Sequence, residues 1–409
     1  MAGSGTGLSA FPGMRGTGNW AHPDERPKNY RQAAFMLFQD SPAVFTNMLS
    51  KLPTRSVDDP EFKIFEWRLP VMAVAQDAAL IGDTTISSQV AGKNIAFKAG
   101  DLLRNERTGE IILVGADPAS PYTDLTSCTR GWGATSAAAI NAGDILRWVG
   151  SAYPEGTTSP LALSRAPSVV SNYTQIFKEA VKVTGTAEQM NTRPMKPWSQ
   201  LKKECLERIM IKMEYAFLYG TPHEVLDTAS NEYIRTTGGF YHFCNAASRV
   251  YDFSGGTYLS TIEDNLAATF KYGSKTKVGF AGNTAINILN RAAHRNSEFQ
   301  FTASDIPRDQ TYGLSVTRWH SPFGNLLLIP HPLLTESAEG TSQIFIVDTK
   351  YVEYVHLRGR DVKWKDNAQP NNADYRLGYF QAEAGMRLAL PEVHAVWDGI
   401  SAYSGTDAP

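Results

Sequence analysis

The stretch from Arg193 to Gly220, RPMKPWSQLKKECLERIMIKMEYAFLYG, constrains the fold more than any other, because it is the strongest helix signal in the chain. Pro197 suits a first helical turn, Ser199 is a capping candidate, and Gly220 is a natural stop. From Trp198 to Tyr219 such a helix extends roughly 33 Å at 1.5 Å per residue. Leu201, Cys205, Ile209, Met213 and Ala216 form one apolar stripe, which Leu206, Met210 and Phe217 widen. Lys202, Lys203, Glu207 and Lys212 fall largely elsewhere on the wheel. A beam with one apolar side needs a layer to cover it. The segment just upstream, SNYTQIFKEAVKVTGTAEQ, alternates apolar and polar residues as a strand with one wet face does. The prediction is a long helix lying across a sheet that contains QIFKEAVKV.

A second feature is a duplication. FKAGDLLRN, beginning at Phe97, returns as INAGDILRW, beginning at Ile140. Solenoids need three or more copies to bury their faces, and two copies exclude an array. From about Val71 to Tyr153 turn signals (IGD, AGK, KAGD, RTGE, DPAS, RGWG, NAGD) alternate with short β-prone pieces. This spacing predicts a small antiparallel, barrel-like unit whose two Ala-Gly-Asp turns open equivalent strands, although convergent hairpin chemistry would give the same pattern.

Upstream, residues 1 to about 60 carry scattered Gly, Pro and charge and one weakly helical patch, YRQAAFMLFQDSPAVFTNMLSKL, and read as an arm. Downstream, TIEDNLAATFKYG and TAINILNRAAHRN read as helices with the strand KVGFAG between them. A hairpin follows on Pro322 to Asn325, then a strand pair in SQIFIVDTKYVEYVHLRG, then a closing strand in YRLGYFQAEAGMRLAL. The fold class is α+β with a small all-β insertion.

Composition narrows function by exclusion. The 409 residues carry 39 basic and 41 acidic side chains, a net charge of −2, so no global basic field marks a nucleic-acid reader or a membrane-surface protein. Cys128, Cys205 and Cys244 show no CxxC spacing and are expected to be reduced and inert. No run has the length of a spanning helix and the N-terminus lacks an apolar signal region, which reads as a soluble chain made in a cytoplasm.

The search for chemistry is mostly negative. Ser199-Gln-Leu-Lys202 matches the S-x-x-K of penicillin-recognising enzymes, but S-D-N and K-T-G are missing, and a capped helix with a solvated Lys explains it better. None of the eight His forms H-E-x-x-H, and His223-Glu224 has no second ligand at helical spacing. GSGTGLSA lacks the strand and the G-K-[ST] of a phosphate cradle. Asn172-Tyr-Thr174 is a formal glycosylation sequon inside a predicted strand and is discarded. Carboxylate pairs of a glycoside hydrolase are recognised in space rather than in sequence, and nothing points to them. One basic-aromatic cluster, HLRGRDVKWKDN, brings together Arg358, Arg360, Lys363, Trp364 and Lys365. It reads first as a solvated strand-loop edge and second as a phosphate or subunit-contact patch. No catalytic, cofactor-binding or metal-binding residue is identified. A long beam, an arm and an inserted β unit without a site suit a protein that touches copies of itself.

The order of arm, extended β segment, NYTQIF strand, long helix, alternating region and closing strand resembles tailed-phage major capsid proteins of the Hong-Kong-97-type fold over essentially the whole chain. The strings that carry the likeness are Glu155-Gly156, Tyr173 to Phe177, and Glu214 to Gly220. The resemblance implies an N-terminal arm over 1–60 and an extended loop over 61–165 with its barrel-like insertion at about 71–153. A peripheral domain over 166–239 would hold the spine helix 198–219, an axial domain would occupy 240–345, and 346–409 would return through it to close the peripheral sheet. It further implies a non-enzyme that assembles in the host cytoplasm, with no cofactor and no membrane, into an icosahedral shell of hexamers and pentamers. That shell would enclose double-stranded DNA without reading its sequence, with scaffolding, portal and decoration proteins as partners. The Gly-rich start stands where some members carry a helical scaffolding segment, which implies a separate scaffold or prior removal. Readings from other classes are a β-rich polysaccharide-active hydrolase and another virion structural protein.

Overall fold

The computed structural model describes residues 43–67, 73–90, 92–160, 162, 167–190, 197–295 and 317–401. Most of the arm, including the start of its helical patch, lies outside the described residues. The chain divides into two compact units, one of residues 1–64 and 170–409, the other of residues 65–169.

In the first unit the beam is real. A 23-residue helix runs Pro197–Tyr219, with Ser199 inside its first turn rather than at its cap. Cys205, Ile209, Met213, Phe217 and Leu218 are buried, whereas Leu206, expected to widen the stripe, is exposed. Gly220 follows the last helical residue, and only glycine fits there: a Cβ would sit 2.4 Å from both the Ala216 and Thr237 carbonyl oxygens. The helix lies on the strand Gln175–Thr184, whose Phe177, Val181 and Val183 enter the same core. Cys205 Sγ contacts the Glu179 carbonyl at 3.3 Å, and the Glu179 carboxylate pairs with Arg208 and Lys212.

That strand is the edge of a five-stranded sheet. Tyr375–Leu388 occupies its centre, antiparallel to Gln175–Thr184 on one side and to Val352–Leu357 and Lys363–Lys365 on the other. Thr54–Val57 adds the far edge, parallel to Val352–Leu357. The predicted closing strand is therefore central, which its run of buried residues from Phe380 to Met386 explains. A six-stranded sheet orders Val250–Asp252, Ala395–Asp398, Ile344–Val347, Thr276–Ala281, Asn325–Pro330 and Thr317–His320. The helices Leu259–Thr269 and Asn283–Arg295 cover it through Ile262, Leu266, Ala285, Leu289 and Ala292. The expected strand pair in SQIFIVDTKYVEYVHLRG is not a pair: Ile344–Val347 joins the six-stranded sheet and Val352–Leu357 the five-stranded one. Asp348, which accepts from the Ser274 N–H and Oγ and through Oδ1 from the Lys350 N–H, fixes the link between them. A hairpin of His223–Asp227 with Glu232–Thr236 had no counterpart in the sequence reading.

The second unit has its own core, including Val74, Ile86, Phe97, Leu103, Ile112, Leu125 and Leu146. A four-stranded antiparallel sheet orders Ala73–Ala75, Ile145–Ser151, Asp101–Asn105 and Ile111–Leu113, and Ile86–Ser87 pairs with Asp124–Leu125. The duplicated segments open Asp101–Asn105 and Ile145–Ser151, which pair with each other. Their turns are alike in detail. Gly100 and Gly143 have φ of 89° and 93°. Asp101 Oδ2 accepts from the Lys98 N–H and Asp144 Oδ2 from the Asn141 N–H, each three residues back. An Asp that ties its own turn beside a glycine in the left-handed region is the physical content of the repeat.

Candidate functional site

The basic-aromatic cluster is divided by the fold. Arg358 pairs with Asp58 on the surface, its Nε 3.0 Å from Oδ1. Arg360 Nε lies 2.8 Å from Oε2 of the nearly buried Glu383. Strand alternation turns Trp364 into the core, its ring 4.7 Å from Phe380 and 5.9 Å from Trp198. The Lys202 ammonium lies 4.5 Å over the Trp364 ring, so the S-x-x-K match holds a packed Lys. Lys363 and Lys365 stay on the opposite, exposed face, and Lys363 Nζ donates to the Gly359 carbonyl at 2.9 Å. Of the four cations, Lys363 and Lys365 have no carboxylate partner among the described residues.

The strongest polar constellation was not read from the sequence. Glu214, on the core side of the long helix, accepts from the Phe45 N–H at 2.7 Å, the Thr46 N–H at 2.6 Å and Thr46 Oγ1 at 2.5 Å. These backbone donors belong to the first turn of the helix Val44–Lys51, where N–H groups lack intrahelical partners and a carboxylate complements the dipole. His331 Nδ1 accepts from the Leu334 N–H at 3.3 Å, which places the ring proton on Nε2 and directs it at Glu214. An acidic residue within an apolar stripe was the available signal. The arrangement is a clasp, with every oxygen of the carboxylate used.

A second buried group surrounds Lys277, whose ammonium donates to the carbonyls of Thr269 (2.6 Å), Tyr272 (2.9 Å) and Val393 (2.5 Å). Burial brings its pKa down to about 8, against the opposing pull of Asp348. Neighbouring His394 is fully buried and held down to about 3 by burial and then by the Lys277 charge; its Nδ1 accepts from the Asp348 N–H. In the second unit Glu110 binds Arg130 Nε and Nη2 at 2.8 Å each and the N–H groups of Gly131 and Ala138. Burial alone would raise the Glu110 pKa, and these donors outweigh it and bring it below the ordinary value. The Glu214 and Glu110 carboxylates are thus both saturated by structural donors.

Other sequence candidates also resolve into structure. Asn172 is buried and binds the Gly238 N–H and the Gly238 and Met386 carbonyls, so the sequon is a strand-to-loop tie. His223 is exposed on the hairpin, where Glu224 pairs with Arg235. The three cysteines are free and buried, and burial raises all three thiols, Cys128 to about 11. Among the described residues no group of three or more His, Cys, Asp or Glu is placed to hold a metal, and no helix is long and apolar enough to cross a membrane.

The match that decides the family spans nearly the whole chain: the profile of the SU10 major capsid protein covers residues 13–401. The chain belongs to the SU10 major capsid protein family. A major capsid protein of Pseudomonas phage PaMx41 is 28% identical over 331 residues, 74% of this chain and 75% of that one. Among solved structures, the capsid of an empty GTA particle aligns with a TM-score of 0.46 at 8% identity, over 95% of this chain and all of that one. A chain of the structure of Mycobacterium phage Adephagia aligns with a TM-score of 0.41 at 9% identity, over 95% of this chain and 97% of that one. The resemblance to phage major capsid proteins read from the sequence is borne out. In this SU10-family chain, one of the three strings that carried it, Glu214 to Gly220, contains the clasp carboxylate, the buried Phe217 and Leu218, and the crowded Gly220. A capsid protein acts through its surfaces, so the exposed faces are the functional parts here, and the buried networks hold those faces in place.

Proposed function

We propose that this major capsid protein assembles through repeated non-covalent contacts into an icosahedral head shell of Hong-Kong-97 type around double-stranded DNA. The observation that carries the reading is the SU10 family match over residues 13–401. In this reading residues 1–60 form the arm and 61–165 the extended loop with its β insertion. Residues 166–239 form the peripheral domain, 240–345 the axial domain, and 346–409 the return to the peripheral sheet. Copies meet in rings of five and six through heterologous contacts that close by rotation. The exposed lysines of the 358–365 segment belong to a contact patch. Assembly takes place in the host cytoplasm with scaffolding, portal and decoration proteins, and the chain catalyses nothing.

The test is electron microscopy with sedimentation of the purified full-length chain at high concentration, alone and co-expressed with neighbouring genes. Shells, tubes or rings of five or six are expected. A persistent monomer of 44.9 kDa under all of these conditions would overturn the reading.

A further inference from the structure

The five-stranded sheet has one face in the core under the long helix and another facing away from it. Phe177, Val181, Val183, Trp364, Phe380 and Ala382 point to the helix side. The register fixes what lies opposite. Lys178, Gln381 and Lys363 form one row across three strands, and Ala180, Tyr379 and Lys365 form the next. Lys182 continues the edge strand beside Leu377. On three of the strands, the twelve positions of this face counted as alternate residues 176–184, 375–383 and 363–365 hold four lysines and one carboxylate, Glu383, and on the strand Val352–Leu357 the face adds Glu353, which Arg387 pairs. Arg360 already pairs with Glu383. Lys178, Lys182, Lys363 and Lys365 are all exposed.

We propose that this helix-free face is a contact surface for the phosphate backbone of double-stranded DNA. Lys178 and Lys363 stand two strand spacings apart, about 9.5 Å, and Lys178 and Lys182 four residues apart, about 13 Å. Like charges this close repel across roughly one Debye length, an arrangement that stability alone disfavours and that a polyanion relieves. A duplex carries one negative charge per about 1.7 Å of axis, so a 13 Å span faces several phosphates. The choice of lysine suits phosphate rather than a protein carboxylate, since point charges on flexible stems tolerate varied phosphate positions whereas specific carboxylate docking favours arginine forks. The aromatic rings that would anchor a peptide are covered: Lys182 lies 3.7 Å over Tyr375, and Lys365 5.6 Å over Tyr379. Contacts of this kind position a duplex without reading its sequence. The proposal rests on the capsid reading for the source of the duplex.

The test measures binding of the full-length chain to a labelled duplex of about 30 base pairs by fluorescence anisotropy across a salt series. The variant replaces Lys178, Lys182, Lys363 and Lys365 with Gln, and a charge-matched control replaces Lys203, Lys271, Lys275 and Lys350. The face variant is expected to bind at least about tenfold more weakly at low salt, with its salt slope flattened by about 0.9 for each phosphate that is no longer neutralised. The control is expected to bind as the wild type does, and a four-fold Lys→Arg variant to retain binding. An unchanged Thermofluor midpoint for the Gln variant excludes unfolding as the cause. Equal losses in the face and control variants, no duplex binding by the wild type, or a face variant that loses polyglutamate binding while keeping duplex binding would each overturn the proposal. Electron micrographs of the same samples separate the two readings: duplex binding lost in the face variant of a chain that forms no shells sustains the surface and counts only against the shell.

Discussion

His331 Nε2 donates to Glu214 Oε1 over 2.6 Å, and neither side chain reaches solvent. Glu214 thereby joins three segments remote in sequence: the helix Val44–Lys51, the long helix, and the turn that starts at His331. Replacing Glu214 with Ala strands the N–H groups of Phe45 and Thr46, the Thr46 hydroxyl and the His331 N–H in an apolar site. The expected loss is about 3–5 kcal/mol, because breaking a buried charged network leaves its partners unsatisfied. Glu214→Gln keeps the shape and one acceptor, and its loss is expected to be about half as large. Urea unfolding of the purified chain reads both, and a loss under about 1 kcal/mol for the Ala variant would show that the clasp is dispensable.

Stability is expected to fall on mild acidification because of His394. Its folded pKa, about 3, lies below the ordinary value near 6.5, so the unfolded chain takes up a proton that the folded chain refuses. The contribution is fully present above pH 6.5 and is lost as pH falls toward 3. At pH 4.5 the cost is roughly 2–3 kcal/mol at 1.36 kcal/mol per unit. His394→Gln is expected to flatten the stability profile between pH 6.5 and 4.5 measured by urea unfolding, whatever it does to stability at pH 8. An unchanged slope would place the acid sensitivity elsewhere.

Gly378 faces the Trp364 ring so closely that a Cβ would stand 2.3 Å from it. The ring cannot retreat freely, since Phe380 and Trp198 pack against it. Gly378→Ala is therefore expected to cost about 1–3 kcal/mol as an overpacked site. It should also change near-ultraviolet circular dichroism as the indole is displaced. Trp364→Leu combined with Gly378→Ala should recover part of the loss, and a double variant no better than the single would mean that the strain lies in the backbone.

The elements that were legible in the sequence are those whose pattern is set locally. The long helix, the strand Gln175–Thr184 and the helices Leu259–Thr269 and Asn283–Arg295 each announce themselves by period. What failed depends on remote partners. Ile344–Val347 and Val352–Leu357 look like neighbours and serve different sheets, because the residues that fix the link are on another part of the chain. Trp364 reads as part of a basic edge until the strand register turns it inward. Lys178 and Lys182 lie some 180 residues before Lys363 and Lys365, so only the sheet brings the four together. Glu214 reads as a polar residue on a helix until a donor pair arrives from Phe45 and Thr46.

The duplicated Ala-Gly-Asp turns give a paired test in which the two copies serve as each other's control. Both glycines sit at a φ that an L side chain adopts with strain, so Ala at either costs about 1 kcal/mol from the backbone alone. The surroundings differ. A Cβ on Gly143 meets nothing nearer than 4.0 Å, whereas one on Gly100 would lie 2.6 Å from the Tyr153 ring and 3.2 Å from the Ala152 carbonyl oxygen. That carbonyl cannot move away cheaply, since the Ala152 N–H is bonded to the Gly100 oxygen at 2.8 Å. Gly100→Ala is thus expected to cost about 1 kcal/mol more than Gly143→Ala. Hydrogen exchange of the amides in Asp101–Asn105 and Ile145–Ser151 reports the opening of this unit by itself, and Gly143→Ala, Tyr153→Ala and the combination of Gly100→Ala with Tyr153→Ala complete the comparison. If the Gly100 variant with Tyr153 truncated still exceeds the Gly143 variant, the Ala152 carbonyl carries the difference; equal exchange in the two single variants would mean that the copies are interchangeable in context as well as in form.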